Sequence, residues 1–199
     1  MVDDTTDLEG VLTAARACRV CARHLALGPR PVVQASATAR LLIVGQAPGT
    51  RVHETGIPWN DRSGARLRDW LQMEEGVFYD AARVAIMPMG FCYPGVDVRG
   101  GDLPPRPECA PLWHPPLRAR LPAVALTFLV GLYAQRYYLA KARKESLTAT
   151  VHHWRAFGPK LLPLPHPSWR NTAWLKKNPW FEQNLLPDLR ARVSKLFAL

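Results

Sequence analysis

Two stretches carry the residues whose types and spacing could do chemistry. One is Gly45-Gln46-Ala47-Pro48-Gly49, continued by Gly56-Ile57-Pro58-Trp59-Asn60-Asp61-Arg62-Ser63-Gly64. The other is Pro165-His166-Pro167-Ser168-Trp169-Arg170-Asn171. Glycines leaving a strand let the backbone approach a ligand closely, and proline stiffens the turn. Prolines on both sides of His166 fix its backbone, as a side chain that must be placed accurately requires. Trp59, held by a proline just before a helix, has the surface to stack on a planar ring. Taken alone it reads equally as a core tryptophan.

Four cysteines form a third set. Cys18 and Cys21 make a C-x2-C pair, and Cys92 and Cys109 enclose 16 residues. The first residues lack the basic start and apolar run of a secretory leader, so disulfides are not expected. A Cys₄ site is the alternative, for zinc or for an iron–sulfur cluster, and spacing does not choose between them.

The chain has 199 residues and a net charge of +10. Residues 1–116 hold 12 Lys/Arg against 13 Asp/Glu, a net of −1, while 117–199 hold 14 against 3, a net of +11. A one-sided positive field suits a phosphate backbone, from which each neutralised charge releases counterions. Abundant arginine from a GC-rich genome is the plainer explanation, but it would not concentrate the excess in one half. Cations there alternate with aromatics (Trp169, Arg170, Trp174, Lys176, Lys177, Trp180), a pattern suited to stacking and neutralising together. No run reaches the roughly 20 apolar residues of a bilayer span. The expectation is a monomeric cytoplasmic protein of a bacterium, off the membrane and drawn to the nucleoid by DNA.

These residues need a scaffold. Short apolar runs at 41–44, 84–87, 124–130 and 160–164 alternate with helical segments at 8–23, from Ser63 onward, 131–139 and 187–197. That alternation predicts one α/β domain over 1–199, with about 1–8 flexible. Its four-stranded, mostly parallel sheet is covered by helices on both faces, and loops at strand ends carry the site. Residues 93–107, rich in Pro and Gly, are expected to be irregular.

The ordered set Gly-Gln-x-Pro-Gly, Gly-x-Pro-aromatic and His-Pro-Ser resembles the uracil-DNA glycosylase superfamily, over about residues 10–195. The cysteine pattern is similar to that of its iron–sulfur branch. The resemblance implies hydrolysis of the N-glycosidic bond of a uracil or related deaminated base flipped out of DNA, the first step of base excision repair. It further implies that Gly45, Gln46 and Ala47 line the base pocket and that Trp59 stacks on the base. His166, with Gln46 as a catalytic partner, would stabilise the departing anion. Ser168, Arg170, Asn171, Lys176 and Lys177 would contact DNA. Cys18, Cys21, Cys92 and Cys109 would hold a 4Fe-4S cluster, with zinc the lesser alternative, bracing the N-terminal helix and the 93–107 loop.

Two positions depart from the family pattern. Ala47 stands where the most efficient branch has a water-handling aspartate, which the iron–sulfur branch also lacks. Glu54, Asp61 and His53 are candidates for that task. Pro88 falls at about the position of the asparagine that reads the uracil edge, and it has neither a side-chain amide nor a backbone N–H. Weaker discrimination among bases is expected. Two alternatives follow: a DNA-binding module of glycosylase ancestry with little or no catalysis, and a hydrolase of nucleotides or small glycosides.

Overall fold

A computed structural model describes residues 5–98 and 100–197. Four strands, β1 (Leu41–Val44), β2 (Val84–Ile86), β3 (Leu126–Val130) and β4 (Leu161–Leu164), form one sheet in the order β2-β1-β3-β4. Every pairing is parallel, with Leu41 opposite both Val84 and Leu126. The sheet is therefore wholly parallel rather than mostly so.

Side chains along a strand point alternately to opposite faces, and each strand is apolar at both sets of positions. Leu41, Ile43, Ile86, Phe128 and Leu164 join one core with α3 (Arg62–Leu71) and α9 (Leu186–Phe197). Leu42, Val44, Met87 and Leu129 join a second core with α1 (Leu8–Arg16), α5 (Cys109–Ala119) and α6 (Leu132–Leu139). The molecule is a three-layer α/β sandwich, as buried parallel sheets must be.

Several boundaries differ from the sequence expectation. The first helix stops at Arg16 rather than 23, so Cys18 and Cys21 lie in a turn and not on a helix. Asp7 caps that helix through the Gly10 N–H, and the part of the expected flexible start at 1–4 lies outside the described residues. Asp61, not Ser63, caps α3: its Oδ1 accepts from Gly64 N at 2.8 Å. Four further short helices escaped the periodicity reading: α2 (Thr50–Thr55), α4 (Glu75–Phe78), α7 (Leu147–His152) and α8 (Thr172–Lys177). Each is too short for an apolar stripe to repeat. The longer α5 was hidden by Pro115 and Pro116 within it.

The 93–107 loop is not irregular throughout. Val96 and Asp102 pair antiparallel, Leu103 N donates to Gly95 O, and Asp97 N donates to Gly101 O, closing a small hairpin.

Candidate active site

The carboxyl ends of β1 and β4 and the caps of α2 and α3 meet around a cavity of ≈ 320 Å³. Gly45, Gln46, Ala47, Trp59, Pro88, His166, Ser168, Arg170 and Asn171 all line it. Lys176 and Lys177 do not. They lie exposed on α8, directly after the 168–171 turn.

Trp59 and His166 face each other with ring centroids 5.6 Å apart and planes 33° from parallel. Trp59 takes a left-handed backbone (φ 57°), a conformation costing a non-glycine residue about 1–2 kcal/mol. Two glycines and a polar network hold it there. A Cβ at Gly64 would overlap the Trp59 carbonyl, and one at Gly45 would lie 2.8 Å from the indole Cζ2. The Tyr79 hydroxyl donates to the Trp59 carbonyl at 3.4 Å, and Arg68, paired with Glu75 at 2.8 Å, donates to the Tyr79 oxygen at 3.0 Å. Such strain is kept where the surroundings over-determine it.

His166 is anchored from behind. The Asn171 amide donates to its carbonyl at 2.8 Å, and Arg66 donates to the Ser168 carbonyl at 3.0 Å. Beneath it, the buried Gln135 amide bridges the Leu129 and Leu164 carbonyls, and Gly131 N donates to Leu164 O. Asn171 thus braces the loop while also lining the cavity. Arg170 donates to Gly100 O at 2.8 Å, tying the turn to the hairpin, and its guanidinium lies over the exposed Trp169 ring. Trp174 and Trp180, expected on a stacking surface, instead pack half-buried against each other and Phe181.

Burial lowers the His166 pKa below its ordinary value, partly opposed by the carboxylates of Asp61 and Asp102. The imidazole is therefore neutral at neutral pH and can donate one hydrogen bond without carrying charge. Of the three candidates for handling water, only Asp61 lines the cavity; Glu54 is exposed and His53 packs beside Tyr93. Asp102, brought over the cavity by the hairpin, was not legible in the sequence, because nothing in a Pro/Gly-rich loop marks one aspartate from another.

The four cysteines, scattered over 92 positions, line one small second cavity with Leu25, Pro29 and Arg106. All are half-buried and unpaired by disulfides. Burial, with mutual repulsion among the thiolates, raises Cys92 to about 11 and Cys109 to about 12. The Phe91 N–H points at Cys109 Sγ from 3.3 Å. Among the described residues, no three ligating side chains close on a single metal ion.

Chemically, the first cavity offers a flat aromatic wall, a neutral imidazole donor and a carboxylate, all at strand ends where α/β sheets bind ligands. The family model of the uracil DNA glycosylase superfamily matches residues 32–190, a span containing every residue of that cavity. The chain belongs to the uracil-DNA glycosylase superfamily.

Proposed function

We propose that the chain is a monofunctional DNA glycosylase that removes a deaminated base, uracil among them, by hydrolysing its N-glycosidic bond. The observation that carries this reading is the 5.6 Å approach of Trp59 to His166 across one cavity that Asp61 also lines. The target nucleotide must leave the duplex stack, because the bond is otherwise out of reach. The extruded base lies along Trp59, while Gln46 and the backbone of 45–49 border it. As the bond from the sugar carbon to the base nitrogen breaks, its electron pair stays on the base. The neutral His166 donates to the base oxygen where that charge collects, the electrostatic assistance worth most in a dry site.

Asp61 faces the sugar side. One of its oxygens is held by the Gly64 N–H, leaving the other to orient water and to stabilise positive charge on the sugar. Water's oxygen bonds to the sugar carbon and its proton passes to the carboxylate or to solvent. The phosphates on either side meet Ser168, Arg170 and the lysines of α8.

The thiols of Cys18, Cys21, Cys92 and Cys109 line one cavity, and a backbone N–H faces one sulfur, so these four residues would hold the 4Fe-4S cluster that the resemblance implies, with zinc the lesser alternative. A bound cluster would take up the thiolate charge that burial otherwise penalises. It would tie the turn after α1 to the start of α5, with no part in the hydrolysis.

The test is single-turnover release of base from uracil-containing single- and double-stranded DNA. Trp59→Ala and His166→Ala should each slow release by about 100-fold or more while leaving the fold intact. Full activity in both variants would remove the assigned pocket. DNA binding with no abasic product from the unaltered protein would leave the alternative of a non-cleaving module, which the apolar residue at Pro88 favours.

A further inference from the structure

The hairpin between β2 and α5 brings a carboxylate to the rim of the cavity. Val96 pairs with Asp102, Leu103 N–H donates to Gly95 O at 2.9 Å, and Asp97 N–H donates to Gly101 O at 2.7 Å. The Asp97 carboxylate is used within the turn, where it accepts from Gly101 N–H at 2.9 Å. At the base of the hairpin Tyr93, Pro94 and Pro105 are buried, and the Thr50 hydroxyl donates to the Tyr93 oxygen at 3.1 Å. Asp102 lines the cavity together with Asp61 and His166. It is exposed, so its carboxylate stands at the mouth rather than on the floor.

A second tie joins this hairpin to the turn after His166. Arg170 Nη2 donates to Gly100 O at 2.8 Å, across 70 positions of sequence. A guanidinium carries several N–H donors, and this bond leaves others to meet a phosphate. Arg170 can therefore grip the DNA backbone and hold the hairpin at once. A flipped base enters between Trp59 and His166 while its phosphates stay outside, so the sugar comes to rest at the mouth, on the Asp102 side of the pocket. Asp61 has one oxygen held by Gly64 N–H. Its other oxygen is left with two tasks, orienting water and facing positive charge on the sugar. Two carboxylates can divide them. Both stand near enough to His166 to oppose the lowering of its pKa that burial causes.

We propose that Asp102 is a second catalytic carboxylate, placed against the sugar to stabilise the positive charge that develops there, and that Arg170 is the positioning residue that holds it through Gly100. The proposal rests on the glycosylase reading. As the bond from sugar carbon to base nitrogen breaks, the electron pair leaves with the base. Asp102 forms no bond and takes no proton; water, oriented by Asp61, adds its oxygen to the sugar carbon. A carboxylate at a DNA-binding mouth repels phosphate in the ground state, yet attracts the sugar once it turns cationic. Only interactions stronger in the transition state than in the ground state accelerate the chemical step. Removing this charge should therefore slow chemistry without weakening binding, a split that loss of a merely structural contact does not produce.

Single-turnover release of uracil at saturating DNA and equilibrium binding are measured for the unaltered protein, Asp102→Asn, Arg170→Ala, Arg170→Lys and the Asp102→Asn, Arg170→Ala pair, with a thermal melt of each. Asp102→Asn should slow release by about tenfold to 100-fold while binding uracil-containing DNA as tightly as before or tighter. Arg170→Ala should also slow release, and Arg170→Lys less so. The pair should release base within about threefold of its slower member, because residues acting as a unit are not additive. Binding is further compared for duplexes that hold, at the target position, a pyrrolidine (a cation in place of the sugar) or a neutral tetrahydrofuran. Preference for the pyrrolidine should fall by about tenfold or more in Asp102→Asn. An undiminished release rate in Asp102→Asn, slower release matched by equally weaker binding, a fully additive pair, or an unchanged pyrrolidine preference in folded Asp102→Asn would each overturn the proposal. A protein that releases no base sinks the glycosylase reading, and the pyrrolidine preference still decides whether Asp102 serves a cation.

Discussion

Gly45 shows how much of this site hangs on one missing atom. Its absent Cβ leaves the space into which the Trp59 indole settles, and a methyl there would meet Cζ2 at 2.8 Å. Indole and loop would have to part by several tenths of an ångström, displacing a ring that lines the cavity. Misplacement near 1 Å can cost on the order of 100-fold in rate. Gly45→Ala should accordingly slow base release by about 100-fold while lowering stability by only about 1 kcal/mol. Single-turnover kinetics beside a thermal melt would check this. A variant with unchanged rate would mean that the indole is not where the base binds. Gly64 is a different case: its Cβ would strike the backbone carbonyl of Trp59, so substitution there should damage folding as well.

At the scale of elements, the first helix ends at Arg16 and the chain turns, which brings Cys18 and Cys21 to the cavity shared with Cys92 and Cys109. Cys18 and Cys109 pack against the core that Ala15, Phe91, Ala110 and Trp113 join, while Val20 is exposed beside them. On the cluster assignment, freshly purified protein should be brown, with a broad band near roughly 400 nm, and Cys18→Ser or Cys109→Ser should abolish it. A colourless protein carrying one zinc per chain would instead select the lesser alternative. Loss of the group should loosen the turn after α1 and the start of α5 before it affects the sheet, a sequence that hydrogen exchange would resolve.

Across the whole molecule, charge is divided by sequence half, net −1 over residues 1–116 and +11 over 117–199. Arg170 sits at the cavity, and Lys176 and Lys177 follow on the next exposed helix. Each phosphate neutralised on duplex DNA contributes about −0.9 to the slope of log affinity against log salt. Lys176→Ala with Lys177→Ala should therefore flatten that slope by about 1.8 if both lysines contact the backbone. The rate of the chemical step at saturating DNA should stay unchanged. A salt slope identical to that of the unaltered protein would place the DNA elsewhere.

Alternating apolar runs fixed the four strands to within two residues, because a strand buried on both faces leaves a continuous hydrophobic signature that needs no tertiary information. The glycine, proline and histidine loops likewise announced the pocket, since backbone restrictions are written in residue type. Three things were decided only by packing. Short helices such as α8 draw their order from neighbours rather than from a stripe of their own. Selection of Asp61 over Glu54 and His53 depended on where α2 and α3 point. The hydrogen bond of His114 to the Pro88 carbonyl and the shared cavity of Asp102 and His166 bring together residues 26 and 64 positions apart, and no local pattern records a distance of that kind.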